Sequence, residues 1–193
     1  MSTTREQIVD AATDVIGRLG LARATTKEIA KAAGFSEATL YKHFQDKDEL
    51  VLTVLHERLP PFIPLLEKLS QRAGTGTVAA TLEEVVRAAL AFYDAGMPMM
   101  ASLFAEQELL VRHRDGMKAA GLGPHLANRA VAAYIRAEQR HGRIDRDLDA
   151  DAVAALLLGA CFQRAFFRHA VGDHADRSSP ARFAREIVRA LAL

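Results

Sequence analysis

Cysteine is almost missing from this chain: Cys161 stands alone among 193 residues. No internal disulfide can form, and nothing in the sequence points to an oxidising compartment. Long hydrophobic runs are lacking as well. The longest, Ala152 to Phe162, has eleven residues, against the roughly 20 that cross a bilayer, so it reads as a buried helix and no membrane partner is expected. Arg5, Glu6, Asp10 and Asp14 interrupt the first fifteen residues, which leaves no h-region for a secretory signal and makes the cytoplasm the expected location. An excess of one charge is absent too. The 25 Lys and Arg balance 24 Asp and Glu, which excludes a histone-like binder that grips nucleic acid by bulk charge. Within residues 1–50 the bases Arg5, Arg18, Arg23, Lys27, Lys31, Lys42 and Lys47 face the acids Glu6, Asp10, Asp14, Glu28, Glu37, Asp46, Asp48 and Glu49. Any hold on nucleic acid there must come from local placement.

Catalytic signatures are also missing. No G-x-S-x-G, phosphate-binding loop or dinucleotide fingerprint occurs, so no catalytic residue, enzyme activity or cofactor is predicted. His169, Asp173, His174 and Asp176 lie close together, but their spacing follows no metal-ligand motif, and they read as a solvated loop. No metal is predicted. Cys161, set in an apolar helix, reads as an inert packing residue, because reactivity needs an exposed electropositive setting.

What is present is helical. Half the residues are hydrophobic and a quarter are charged, the balance of a folded chain. No stretch keeps a period of two for long enough to make a strand, and there is neither an internal repeat nor a low-complexity tail, so the fold class is all-α. Ile8, Ala12, Val15, Ile16 and Leu19 carry the 3.6-residue spacing of a first helix that stops at Gly20. Thr25-Thr26-Lys27-Glu28 fits a capping box. It opens a short second helix that buries Ile29, Ala30 and Ala33 and ends at Gly34. A third helix follows from Ser36. Asp46-Lys47-Asp48-Glu49 offers a second capping box before Leu50, Val51, Val54 and Leu55, and Pro60, Pro61 and Pro64 kink or stop this fourth helix. Breaks at Gly74 to Thr77, Gly96 to Pro98, Gly121 to Pro124, Gly142 to Asp147 and Asp173 to Pro180 leave helices near 78–95, 98–114, 124–141, 149–171 and 180–192.

Two short helices joined by a tight glycine turn make a helix-turn-helix. Leu40 and Phe44, four residues apart, turn inward. Glu37, Ala38, Thr39, Lys42 and His43 then face outward, with Tyr41 at the boundary. Small residues near the start of such a helix let its backbone approach base edges in the major groove. Thr26 and Lys47 each fall in a first helical turn, where free amides favour a phosphate.

The segment Arg5 to Leu55, centred on "TTKEIAKAAGFSEATLYKHFQDKDEL", resembles the DNA-binding region of TetR-family transcriptional regulators, the tetracycline-repressor-like proteins. The Thr before helix two, "IAKAAG", "S-x-x-T-L-Y-x-H-F" and the following Lys match in order and spacing. The resemblance implies a helix-turn-helix DNA-binding domain over residues 1–55 and a larger helical ligand-binding and dimerisation domain over 56–193. It makes Thr26, Tyr41, His43 and Lys47 similar to backbone-contacting positions, and Ser36, Glu37, Ala38, Thr39 and Lys42 similar to positions facing the groove. Glu37 departs from the basic residue some members carry. An acid accepts from a cytosine amino group but repels phosphates.

In the remaining residues Val153, Leu156, Leu157, Ala160, Cys161, Ala165 and Phe166 form a stripe broader than one helix can hide, and Phe183, Ile187, Val188 and Leu191 repeat the feature. Val153, Leu156, Leu157, Ala160, Phe183, Ile187 and Leu191 are therefore assigned to a four-helix homodimer interface, with ordinary intramolecular core as the alternative. Phe62, Phe92, Tyr93, Met97, Met99, Met100, Phe104, Met117, Phe162 and Phe167 are assigned to an adaptable apolar pocket, with Gln107, His113 and Gln163 to orient a ligand. The same side chains would serve equally as core. The expected function is a homodimeric repressor released from a palindromic DNA operator by a small, largely apolar ligand. An activator or a ligand-independent repressor of the same fold shares these features, as does a helical small-molecule binder without DNA affinity.

Overall fold

The computed structural model describes residues 2–21, 23–58, 62–119, 121, 123–172 and 178–191. Among these residues there is no strand. Helices follow one another as α1 (Thr4–Leu19), α2 (Thr26–Ala32), α3 (Glu37–Leu40), α4 (Lys47–Glu57), α5 (Ile63–Leu69), α6 (Val78–Ala105), α7 (Gln107–Ala119), α8 (His125–Arg140), α9 (Ala150–Val171) and α10 (Pro180–Ala190), with a 3-10 turn at Ser70–Arg72 after α5. Two compact units result. One takes Met1–Leu59 and Gly96–Ala120, the other Pro60–Ala95 and Gly121–Leu193. The division expected at residue 55 did not include 96–120 with the N-terminal helices.

In the first unit the caps act as the local sequence predicts. The Thr25 hydroxyl accepts the Glu28 N–H at 3.2 Å and the Glu28 carboxylate takes the Thr25 N–H at 3.1 Å, so two orphan donors of α2 satisfy each other's residues. Asp46 accepts the Glu49 N–H at 2.8 Å, whereas Glu49 reaches one residue further back, to the Gln45 N–H at 2.6 Å. The core joins Ile8, Ala12, Val15 and Ile16 of α1 to Ile29, Ala30, Leu40, Phe44, Leu50, Val51 and Val54, with Leu103 of α6 and Leu109 of α7 added from far along the chain. Leu19, expected in the α1 stripe, is 39% exposed. Burying each large side chain here contributes about 1.5–3 kcal/mol.

Pro64 and Pro98 behave differently from the expectation. Pro60 and Pro61 lie outside the described residues. Pro64 sits in the first turn of α5, where a missing N–H would have no helical partner anyway, so it helps to start a helix. The break expected at Gly96 to Pro98 does not occur: α6 runs through Pro98. The hydrogen bond that Pro98 cannot give to the Asp94 carbonyl comes from His169 of α9. The chain breaks later, at Glu106, between α6 and α7.

The second unit packs Phe62, Leu66 and Leu69, Leu82, Val85, Val86 and Ala89 of α6, Val131, Tyr134 and Ile135 of α8, Val153, Ala154, Leu157, Leu158 and Cys161 of α9, and Ala184 and Val188 of α10. The turn before α6 is pinned to α8. The buried Glu138 carboxylate accepts the Gly74 N–H at 3.3 Å and lies 3.4 Å from the Arg143 guanidinium, which itself donates to the Gly76 carbonyl at 2.8 Å. Gly74 is favoured twice over: its φ of +79° strains any other residue, and a Cβ there would crowd the His141 ring at 3.2 Å.

By length and composition α6 and α9 are each long and apolar enough to cross a bilayer, although neither holds an uninterrupted run of that length. Their inward faces supply the core just described. On α9 the outward face is apolar as well, with Leu156, Phe162, Phe166, Phe167 and Val171 all exposed. Val153 and Leu157, assigned to the dimer interface from sequence, lie instead in the core of their own unit. A helix that is apolar all round has no periodicity to say which face is which. Ala160 is half-buried, Phe183, Ile187 and Leu191 lean against the core, and Leu156 is 63% exposed.

Candidate nucleic-acid interface

The turn between α2 and α3 is set by Gly34, whose φ of +79° lies in the left-handed region. Its geometry returns the Phe35 N–H to the Ala30 carbonyl at 2.9 Å. Ser36 then caps α3, accepting the Thr39 N–H at 3.2 Å and sharing a hydrogen bond with the Thr39 hydroxyl at 2.9 Å. After Leu40 the backbone tightens: the Lys42 N–H goes to Thr39 and the His43 N–H to Leu40, one residue short of the α-helical spacing. Leu40 and Phe44 are buried, as their spacing predicts. Ser36, Ala38, Lys42 and His43 are exposed, Glu37 and Thr39 are half-buried, and Tyr41 is 49% exposed. An outward row of small and polar groups therefore rests on a two-residue apolar anchor.

Three hydroxyl and carboxyl groups meet at the junction of α2 and α3. The Thr26 hydroxyl donates to the Glu37 carboxylate, and the Tyr41 hydroxyl stands 3.3 Å from the same Thr26 oxygen. Lys47, in the first turn of α4, donates to the Leu21 carbonyl at 2.7 Å. An ammonium has three donors, so this bond ties α4 to the end of α1 and leaves donors for an outside anion.

Other residues that hold the head were not legible locally. Arg112 of α7 reaches Asp48 at 2.7 Å and Asp46 at 3.2 Å, across the N-terminus of α4. The Asp46 carboxyl is held below its ordinary value, first by the Glu49 N–H and then by Arg112. Arg5 grips both oxygens of Glu57, at 2.7 and 3.0 Å, and stacks over the Phe44 ring at 5.5 Å. The hydrogen bond from Arg5 holds Glu57 low. Arg58 pairs with Asp10 at 2.8 Å. Partners more than forty residues apart leave no periodic trace.

The residues assigned to a ligand pocket divide between the units. In the second, Phe62, Phe92, Tyr93 and Phe162 form one chain of ring contacts, with centroids 5.4 Å apart for Phe62 and Phe92, 5.7 Å for Phe92 and Tyr93, and 5.6 Å for Tyr93 and Phe162. Burial pushes the Tyr93 phenol up to about 12. Gln163 and Phe167 lie exposed on α9. Met97, Met100, Phe104, Gln107, His113 and Met117 belong to the first unit. There Met99 and Met100 pack against its core, Phe104 and Gln107 are exposed, and Met97, His113 and Met117 are half-buried.

Cys161 is buried and donates to the Leu157 carbonyl at 3.2 Å, and burial pushes its thiol up to about 12. Asp173, His174 and Asp176 lie outside the described residues. Among the described residues no group of three metal-ligating side chains comes together.

Residues 8–54 match the model of the bacterial regulatory proteins, tetR family. Over 62 residues the chain is 34% identical to the fatty acid metabolism regulator protein of Bacillus subtilis. That match covers 32% of each protein, so the similarity spans about a third of the relative's length. Two solved structures share the fold over nearly the whole chain. One is the transcriptional regulator FadR from Bacillus subtilis in complex with stearoyl-CoA, with a TM-score of 0.69, 18% identity and 96% of each chain covered. The other is SmeT, the repressor of the Stenotrophomonas maltophilia multidrug efflux pump SmeDEF, with a TM-score of 0.70, 19% identity, and 98% of this chain and 90% of that one covered.

Proposed function

We propose, from the premise that the chain is a TetR-family transcriptional regulator by its DNA-binding domain and not an enzyme, that it acts as a homodimeric repressor released from its operator by an apolar small molecule. The observation that carries the DNA-binding half is the outward row on α3 and the turn that follows it, with Ala38 and Lys42 exposed over the buried Leu40 and Phe44. Such a helix enters the major groove with its first turns. Ser36, Glu37, Ala38, Thr39 and Lys42 face the base edges in this reading. Thr26, Tyr41, His43 and Lys47 face the phosphates.

The exposed apolar face of α9 supports the dimer. Leu156, Phe162, Phe166, Phe167 and Val171 are each 46–63% exposed on α9, and large apolar side chains clustered in water mark an interaction surface. A second copy laid against it covers the same residues on both chains, with α10 alongside. Two heads are also what the charge balance requires. A domain with no basic excess gains little from counterion release, and doubling the contacts in register with two groove faces about 34 Å apart compensates for that weakness.

The ring chain of Phe62, Phe92, Tyr93 and Phe162 supports an apolar ligand, and the complex of the similarly folded FadR with stearoyl-CoA supports a long acyl chain as the first class to try. The ligand changes the spacing of the two heads, and a mismatch of a few ångströms against a fixed groove repeat lowers operator affinity. A hundredfold preference of the ligand for the DNA-free form corresponds to about 2.7 kcal/mol.

The test is direct. Purified protein pulls sequenced genomic fragments, and the best fragment is titrated with and without a long-chain acyl-CoA. Selective fragments bound by a dimer, with affinity lowered by the acyl-CoA, support the reading. No preference over random duplex overturns it. In a deletion strain, raised transcription next to the bound site marks a repressor, and lowered transcription marks an activator.

A further inference from the structure

The geometry points to Glu37 as an internal competitor for the DNA backbone, one that makes phosphate contact by Thr26 and Tyr41 conditional on the base sequence beneath α3. This inference rests on the DNA-binding reading above. The Thr26 hydroxyl has one hydrogen, and it is given to the Glu37 carboxylate. With that hydrogen committed, the 3.3 Å contact between Thr26 and Tyr41 requires the Tyr41 hydroxyl to donate. The Thr26 hydrogen is thus consumed within the protein, and the Tyr41 hydrogen is drawn inward across a longer, weaker contact. What Thr26 and Tyr41 then turn outward are lone pairs, and Glu37 adds a negative charge beside them. A phosphate oxygen needs donors and meets acceptors.

For a phosphate to engage this corner, Glu37 must let go of Thr26. Glu37 is the first residue of α3, so a released carboxylate hangs over the groove floor. There the only base edge that offers it a fresh donor without a competing acceptor is the cytosine amino group. Guanine O6 and N7 and thymine O4 are acceptors and repel it. Over cytosine the carboxylate exchanges one donor for another, and the freed hydroxyls close on the phosphate. Elsewhere the carboxylate is stranded, and the corner stays self-capped. Random duplex is penalised, and one operator position is read as cytosine, by the same residue. A head without a basic excess owes part of its selectivity to this acid.

Full-length wild type, Glu37→Ala, Thr26→Val and the double variant are titrated against the preferred genomic fragment, against that fragment with each cytosine replaced in turn, and against random duplex at several salt concentrations. Glu37→Ala is expected to raise affinity for random duplex about fivefold or more, as loss of a charged hydrogen-bond competitor implies, and to abolish discrimination at one cytosine. In the Thr26→Val background the gain is expected to shrink to roughly twofold, the part that follows from removing one negative charge, since the hydroxyl in dispute is gone. An equal gain in both backgrounds overturns the inference, because it would reflect charge alone, as would unaltered discrimination at every cytosine. Failure of the regulator reading looks different: wild type itself shows no preferred fragment. Far-ultraviolet circular dichroism of each variant checks that the head is folded.

Discussion

The Nε2 of His169 stands 3.0 Å from the carbonyl oxygen of Asp94, the carbonyl that Pro98, four residues on, leaves without a helical donor. A carbonyl only accepts, so the imidazole hydrogen is on Nε2. Arg168, the residue before, holds the Asp94 carboxylate at 2.6 Å. Two consecutive side chains of α9 thereby let α6 pass through a proline.

His169→Ala is expected to leave that carbonyl to water and cost about 0.5–1.5 kcal/mol. Pro98→Ala restores the amide, so in its background the loss should shrink to a few tenths of a kcal/mol. Urea unfolding of the four proteins measures the coupling. An identical loss with and without Pro98 would mean that the imidazole does not stand in for the amide.

Lys47→Ala should act in two ways. Loss of the bond to the Leu21 carbonyl lowers stability by about 1 kcal/mol. Loss of a phosphate contact lowers the slope of log affinity against log salt by about one per head, across all sequences. A slope unchanged from wild type would take Lys47 out of the phosphate contacts while leaving its structural bond intact.

Asp46 joins the cap of α4 to Arg112. Asp46→Asn keeps a capping side chain and loses the ion pair, whereas Asp46→Ala loses both and should cost about 0.5–2 kcal/mol more. Because the folded carboxyl is depressed, its contribution is complete above the ordinary aspartate value of 3.8 and disappears as pH falls through the lower folded value. Wild type and Asp46→Asn should therefore converge in stability on acidification below 3.8. A gap that widens instead would reverse the sign.

Cys161 should resist alkylation in the native state. Its thiol, pushed up to about 12, forms almost no thiolate at neutral pH, and the side chain is fully buried. Labelling by a maleimide should follow global unfolding, and operator DNA should slow it only as far as it stabilises the folded protein. Rapid labelling of the folded protein would show that α9 opens locally.

Leu156→Glu or Phe166→Glu places a charge on the outward face of α9 without entering the core. Each should convert a dimer to monomers in sedimentation and reduce operator affinity far more than binding to random duplex. Dimers that persist at the same concentration would locate the interface elsewhere.

Short-range chemistry was readable in the amino-acid order alone. The Thr25–Glu28 box, the Gly34 turn and the inward pair Leu40 and Phe44 each depend on neighbours within four residues, and hydrogen-bond geometry and helical period act over that distance. The family match falls on the same segment. Contacts across long stretches of chain, and choices between equivalent faces, were decided only when the helices packed. Nothing around Glu37 announces a partner eleven residues earlier, and nothing around Asp94 announces one seventy-five residues later. On α9, where apolar side chains point in every direction, Val153 and Leu157 went inward and Leu156 and Phe166 outward. Periodicity carries information only when one face is polar, and there the neighbouring helices made the choice.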